Sequence, residues 1–161
     1  MGSLLLGFFK PPIPQVKSGE RLPQAPAMIV QNSIGKAIDL QQQKDKVVFI
    51  NFWATWCPPC LAELPSINDF YQKVKDNPNI VFLSVDVDND LTKSALFLQK
   101  KGYLFPVYGG TLNMLPRQFF SGSIPTTLVI DKKGFVVFNL IGHANYDDDQ
   151  FAQYIIGLSK Q

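Results

Sequence analysis

Apolar residues recur along this chain with two different periods, and the alternation between them lays out a fold. Val47 to Trp53 is a nearly unbroken apolar run, the pattern of a central strand buried on both faces. Beyond it, Leu61, Leu64, Ile67, Phe70 and Val74 fall at helical spacing. They predict a helix that starts at Cys57 and Cys60, runs to about Lys75 and is kinked by Pro65. Ile80 to Val85 repeats the buried-strand pattern. Leu91 to Lys101 predicts a second helix, with acidic residues before it, lysines in its last turn and Gly102 as the stop. Thr127 to Asp131 and Phe135 to Ile141 read as a hairpin around Lys132-Lys133-Gly134. Phe151, Tyr154, Ile155 and Leu158 mark a final amphipathic helix. Upstream, Met28 to Val30 and Ala37 to Leu40 flank a turn containing Gly35 and predict another hairpin. The order is hairpin, strand–helix–strand–helix, hairpin, helix. It implies an α/β fold, a mixed central β-sheet flanked by helices on both faces.

Composition narrows the picture. A chain of 161 residues with 46% hydrophobic and 17% charged positions is one globular domain rather than a disordered segment. A net charge of +2 from scattered lysines argues against a nucleic-acid partner. Pro11, Pro12, Pro14, Pro23 and Pro26 make residues 1–25 an extended lead-in or linker, with the domain over residues 26–161. Leu4 to Phe9 is apolar but too short to span a bilayer and poorly shaped as a signal peptide. Met1-Gly2-Ser3 reads as a scar joined to a trimmed native start.

The chemistry is concentrated in Trp56-Cys57-Pro58-Pro59-Cys60, which holds both cysteines of the chain. A C-x-x-C pair closes and reopens a small disulfide and so carries two electrons. So small a loop cannot staple the fold, which must stand without it, and the bland alternatives to exchange are a structural or accidental pair or half of a zinc site. Zinc usually takes four ligands, and the chain offers one histidine and no second cysteine pair. Cys57 leads a helix, where free N–H groups and the helix dipole favour a thiolate. Cys60, one turn on and less exposed, is the resolving cysteine. Pro58 and Pro59 lack N–H groups, so a Cys57 thiolate is less stabilised and the protein leans toward reduction. Glu63, three residues beyond Cys60 on the same helix face, is the candidate base for Cys60. Trp56 is a surface platform for substrate, and His143 is a solvated loop residue or a copper ligand. Three other functions compete: a thiol peroxidase attacking through Cys57, a copper-binding chaperone, and a binding module that keeps the fold without the chemistry.

Asn51-Phe52-Trp53-Ala54-Thr55-Trp56-Cys57-Pro58-Pro59-Cys60 resembles the active-site segment of the thioredoxin superfamily, most of all its extracytoplasmic TlpA/ResA-type oxidoreductases. Ile124-Pro125-Thr126-Thr127 before an apolar strand resembles the cis-proline loop of that family. The resemblance covers about residues 26–160 and implies a thioredoxin fold with an extra N-terminal β-hairpin. It implies that Pro125 is cis and faces the disulfide, that Ile124 offers its backbone to substrate, and that Glu63 is functional. Asn51 departs from cytosolic thioredoxins, where a buried Asp holds this position. The resemblance further implies a redox-active Cys57–Cys60 disulfide with no other cofactor, and disulfide-bearing protein substrates such as apocytochromes, as in cytochrome c biogenesis. It also implies a membrane electron donor and an extracytoplasmic, periplasmic location; a monomer is expected, with any tether in an N-terminal segment absent or trimmed here.

Overall fold

A computed structural model describes residues 10–14, 22–113 and 115–161. The apolar run at Leu4 to Phe9 and most of the expected lead-in lie outside the described residues. The elements are β1 (Ile29–Gln31), β2 (Ala37–Asp39), a 3-10 turn (Leu40–Gln42) and β3 (Val47–Trp53). Then come α1 (Pro58–Val74), β4 (Ile80–Asp86), α2 (Leu91–Lys101) and β5 (Val107–Tyr108). The chain closes with β6 (Thr126–Ile130), β7 (Val136–Ile141) and α3 (Asp149–Ser159).

The main sheet has the order β5-β4-β3-β6-β7. β3, β4 and β5 run parallel, and β6 and β7 add antiparallel. Every residue of β3 is buried, as its unbroken apolar run requires of a strand covered on both faces. β1 and β2 form a separate two-stranded sheet. It is tied to the main body where Gln31 and Gly109 exchange backbone hydrogen bonds of 2.9 Å.

Alternate positions of β3 feed two cores. Val47, Phe49 and Trp53 point into one cluster with Leu64, Ile67 and Phe70 of α1, Leu98 of α2 and Phe151 and Ile155 of α3. Phe49 is the hub, with its ring centroid 4.8 Å from Phe70 and 5.2 Å from Phe82. Val48, Ile50 and Phe52 point the other way, toward Met28, Val30, Leu40, Leu115 and Phe119. The sheet is thus flanked by helices, but all three pack on one face. The hairpin and the segment around Leu115–Phe119 cover the face where helices were also expected. The reason is topological: two right-handed crossovers, β3-α1-β4 and β4-α2-β5, step in the same direction across the sheet.

The backbone joins the sheet body at Pro23, whose carbonyl accepts from Val136 N–H at 2.8 Å. Ala25 N–H donates to the Gly134 carbonyl at 2.7 Å. Further upstream, Pro11 is buried and Ile13 packs against the helical-face core.

Candidate active site

Cys57 sits between β3 and α1 as the N-cap of the helix, with extended backbone angles. Pro58 and Pro59 fill the first two helical positions, where a missing N–H does no harm and a fixed φ helps. Cys60 therefore supplies the first main-chain donor of the helix, and its N–H reaches Cys57 Sγ at 3.3 Å. Cys57 and Cys60 are joined as a disulfide across one turn. Cys60 is fully buried, whereas Cys57 keeps a small exposed surface. The asymmetry suits an attacking and a resolving cysteine.

The loop before β6 closes the site from the opposite side. The Ile124–Pro125 bond is cis. The Ile124 carbonyl oxygen lies 4.0 Å from Cys57 Sγ. Trp56 is 63% exposed, and its indole N–H donates to Asp88 Oδ2 at 2.7 Å. Pro58 and Pro59 are exposed beside it. Trp53, by contrast, is buried and donates to Ser84 Oγ. Asp86 below this rim is buried, its carboxyl pushed up by desolvation, and it accepts from the N–H groups of Asp88 and Asp90.

Behind the disulfide lies a polar pocket within the apolar core. Glu63 is 1% exposed. Its Oε1 accepts from Asn51 Nδ2 at 2.7 Å, and its Oε2 accepts from Ala144 N–H at 3.0 Å. Asn51 Nδ2 also donates to Thr127 Oγ1 at 3.0 Å. The Tyr146 hydroxyl donates to Thr127 Oγ1 at 2.7 Å. Desolvation pushes the Glu63 carboxyl up to about 8, against the opposing pull of these two donors. A carboxyl tuned to that range can exchange a proton at physiological pH.

The structure brings the Ile124 carbonyl, ahead of the cis Pro125, beside Cys57, with Cys60 and Glu63 buried on the cysteine helix. His143 is half-buried in the loop after β7. It does not join the cysteines: among the described residues no group of three or more His, Cys, Asp or Glu could hold a metal ion. Sequence reasoning missed Ala144, Tyr146 and Asp88. Ala144 contributes a main-chain N–H, which leaves no residue signature. Tyr146 offered the only clue, a bulky phenol in a polar stretch, which when buried needs a partner for its hydroxyl.

The chain is similar to known proteins of one family. The AhpC/TSA family profile matches residues 23–139. The thiol-disulfide oxidoreductase ResA of Bacillus thuringiensis (strain Al Hakam) is 36% identical over 119 residues, 74% of this chain and 68% of that one. ResA of Bacillus subtilis (strain 168) is 33% identical over 113 residues, 70% of this chain and 63% of that one. A thiol:disulfide interchange protein of Chlorobium tepidum TLS superposes with a TM-score of 0.70 at 26% identity. That match covers 87% of this chain and 98% of the other.

Proposed function

We propose, for a chain that belongs to the AhpC/TSA family and within it to the ResA-like thiol–disulfide oxidoreductases of thioredoxin fold, that Cys57 and Cys60 act as a reductant of protein disulfides. The pair exchanges dithiol for disulfide with disulfide-bearing protein substrates. In the reducing direction, Cys57 thiolate attacks one substrate sulfur and forms a mixed disulfide. The other substrate sulfur leaves as a thiolate and takes a proton. Cys60 then gives its proton to Glu63 and attacks Cys57 Sγ. The Cys57–Cys60 disulfide forms, the first substrate sulfur leaves, and two electrons have passed to the substrate.

Each residue has a role in that sequence. The helix start at Cys57 favours the thiolate, and the two prolines limit how far. A weakly stabilised thiolate makes the dithiol a better reductant. Ile124, ahead of Pro125, offers main-chain groups to an extended substrate segment by strand addition, beside the sulfur that is attacked. Trp56 and Pro58 form the exposed rim on which substrate rests.

The observation that supports this reading best is the buried Glu63 carboxyl on the cysteine helix, held by Asn51 and Ala144. A rate–pH profile of exchange for Glu63→Gln tests it. The profile should lose the ionisation near 8, and an unchanged profile would remove Glu63 from the mechanism. Equilibration with thiol buffers of known potential tests the direction, since a strongly oxidising disulfide contradicts it. The family resemblance further supports an extracytoplasmic, periplasmic location and a membrane electron donor, with apocytochromes among the substrates, and we take the protein to act as a monomer. Among the described residues no helix is long and apolar enough to cross a membrane.

A further inference from the structure

Asn51 Oδ1 is buried and has no hydrogen-bond partner among the described residues. Its companion Nδ2 is doubly used, on Glu63 Oε1 and Thr127 Oγ1. Both Glu63 oxygens thus face N–H groups, an arrangement that suits a carboxylate. A protonated Glu63 is badly served there, because its new O–H would point at the Asn51 N–H. Among the described residues no ion pair reaches Glu63, so no cation supplies an alternative. The acceptor that the acid form needs lies on the same amide, at the end that is unused.

We propose that Asn51 is a positioning residue that serves Glu63 in both protonation states, its amide turning to present Nδ2 to the carboxylate and Oδ1 to the acid. This rests on the reading of Glu63 as the proton acceptor of exchange. Thr127 permits the turn, because a hydroxyl both donates and accepts. With Glu63 ionised, Thr127 Oγ1 accepts from Asn51 and from Tyr146. With Glu63 protonated, the Thr127 hydroxyl donates to Asn51 Oδ1 and still accepts from Tyr146. Each orientation leaves one end of the amide without a partner, so the proton on Glu63 decides between them. In this way a buried site accepts a proton without moving its backbone.

The titratable groups around Glu63 are few. Tyr146 faces it from the loop after β7, with its own hydroxyl pushed far up by burial and by the Glu63 charge. His143 adjoins Ala144 in that same loop. Cys57 and Cys60 are on its own helix and do not titrate as a disulfide. From β3 it is held by Asn51, which in turn bonds Thr127 of β6, and neither of these ionises.

Nuclear magnetic resonance on the isotope-labelled disulfide form tests the proposal without reference to turnover. Glu63 Cδ and the Asn51 side-chain amide are followed between about pH 5 and about pH 10. Both should move with one midpoint, near 8. In Glu63→Gln the Asn51 response should vanish, which separates it from any effect of His143. An Asn51 amide that stays flat while Glu63 titrates overturns the proposal, as does a response that persists in Glu63→Gln. A Glu63 that does not titrate in this range overturns it as well. If Asn51 follows Glu63 but the exchange profile of Glu63→Gln is unchanged, the catalytic reading fails and the pairing stands.

Discussion

The two sides of the Cys57–Cys60 disulfide are built from opposite materials. Inside, Glu63, Asn51, Thr127 and Tyr146 are fully buried and bonded to one another over 2.7 to 3.0 Å. Outside, Trp56, Pro58, Pro59 and Asp88 are exposed, and a single indole-to-carboxylate bond is the contact recorded among them. Buried polar groups are costly to leave unpaired, so the inner side is tightly constrained and a change to one member reaches the others. The outer side can be altered with little effect on folding. On the proposed mechanism, proton handling falls to the interior and partner contact to the rim, with Cys57 at the boundary.

The largest expected effect ignores that division. Cys60→Ser removes the resolving thiol, so multiple turnover should fall to background and substrates should remain attached through Cys57. Mass spectrometry of the trapped adducts reads this out, and a variant that still turns over contradicts the cysteine roles.

Glu63→Gln addresses the inner side alone. Loss of a positioned base costs about 100-fold or more in the step it serves. Its effect on stability has the opposite sign. The Glu63 carboxyl is raised from 4.5 to about 8, so the folded protein holds a proton that the unfolded chain releases. Stability should fall by roughly 1.4 kcal/mol per pH unit as pH rises through that window and level off above it. Glu63→Gln should abolish this slope and be the more stable protein at alkaline pH. Denaturant melts across that window decide the matter, and parallel curves for the two proteins would show that the carboxyl is not raised.

Thr127→Val is the next step down. It leaves the Tyr146 hydroxyl and one Asn51 N–H unpaired in the core, which costs about 1–3 kcal/mol in denaturant unfolding. A neutral result would mean that water enters the pocket. Asp88→Asn should matter least for the fold, within about 0.5 kcal/mol. It should change KM for protein substrates while leaving exchange with small dithiols untouched. Equal effects on both substrates would break the assignment of the rim to partner contact.

What could be read from the sequence follows the same boundary. β3 and α2 were legible to the residue, because an unbroken apolar run and a helix with clear stop signals need no outside information. β5 was not. Two residues, Val107 and Tyr108, become a strand only by pairing with Ser84 and Val85. With β5 missing, the second crossover was invisible and so was the rule that puts α2 on the same face as α1. Cys57, Cys60 and Glu63 share one short segment and were found together. Tyr146 and Ala144 lie about eighty residues from Glu63, brought to it by the return of the chain after β7.

Ala144 gives the site a property that is easily overlooked. What it donates to Glu63 is a peptide proton, which every amino acid but proline possesses. With Ala144 1% exposed, the site limits bulk at this position and asks for no functional group on the side chain. Any small residue other than proline at this position would leave the carboxylate its partner. Proline is the one substitution that would delete the bond outright.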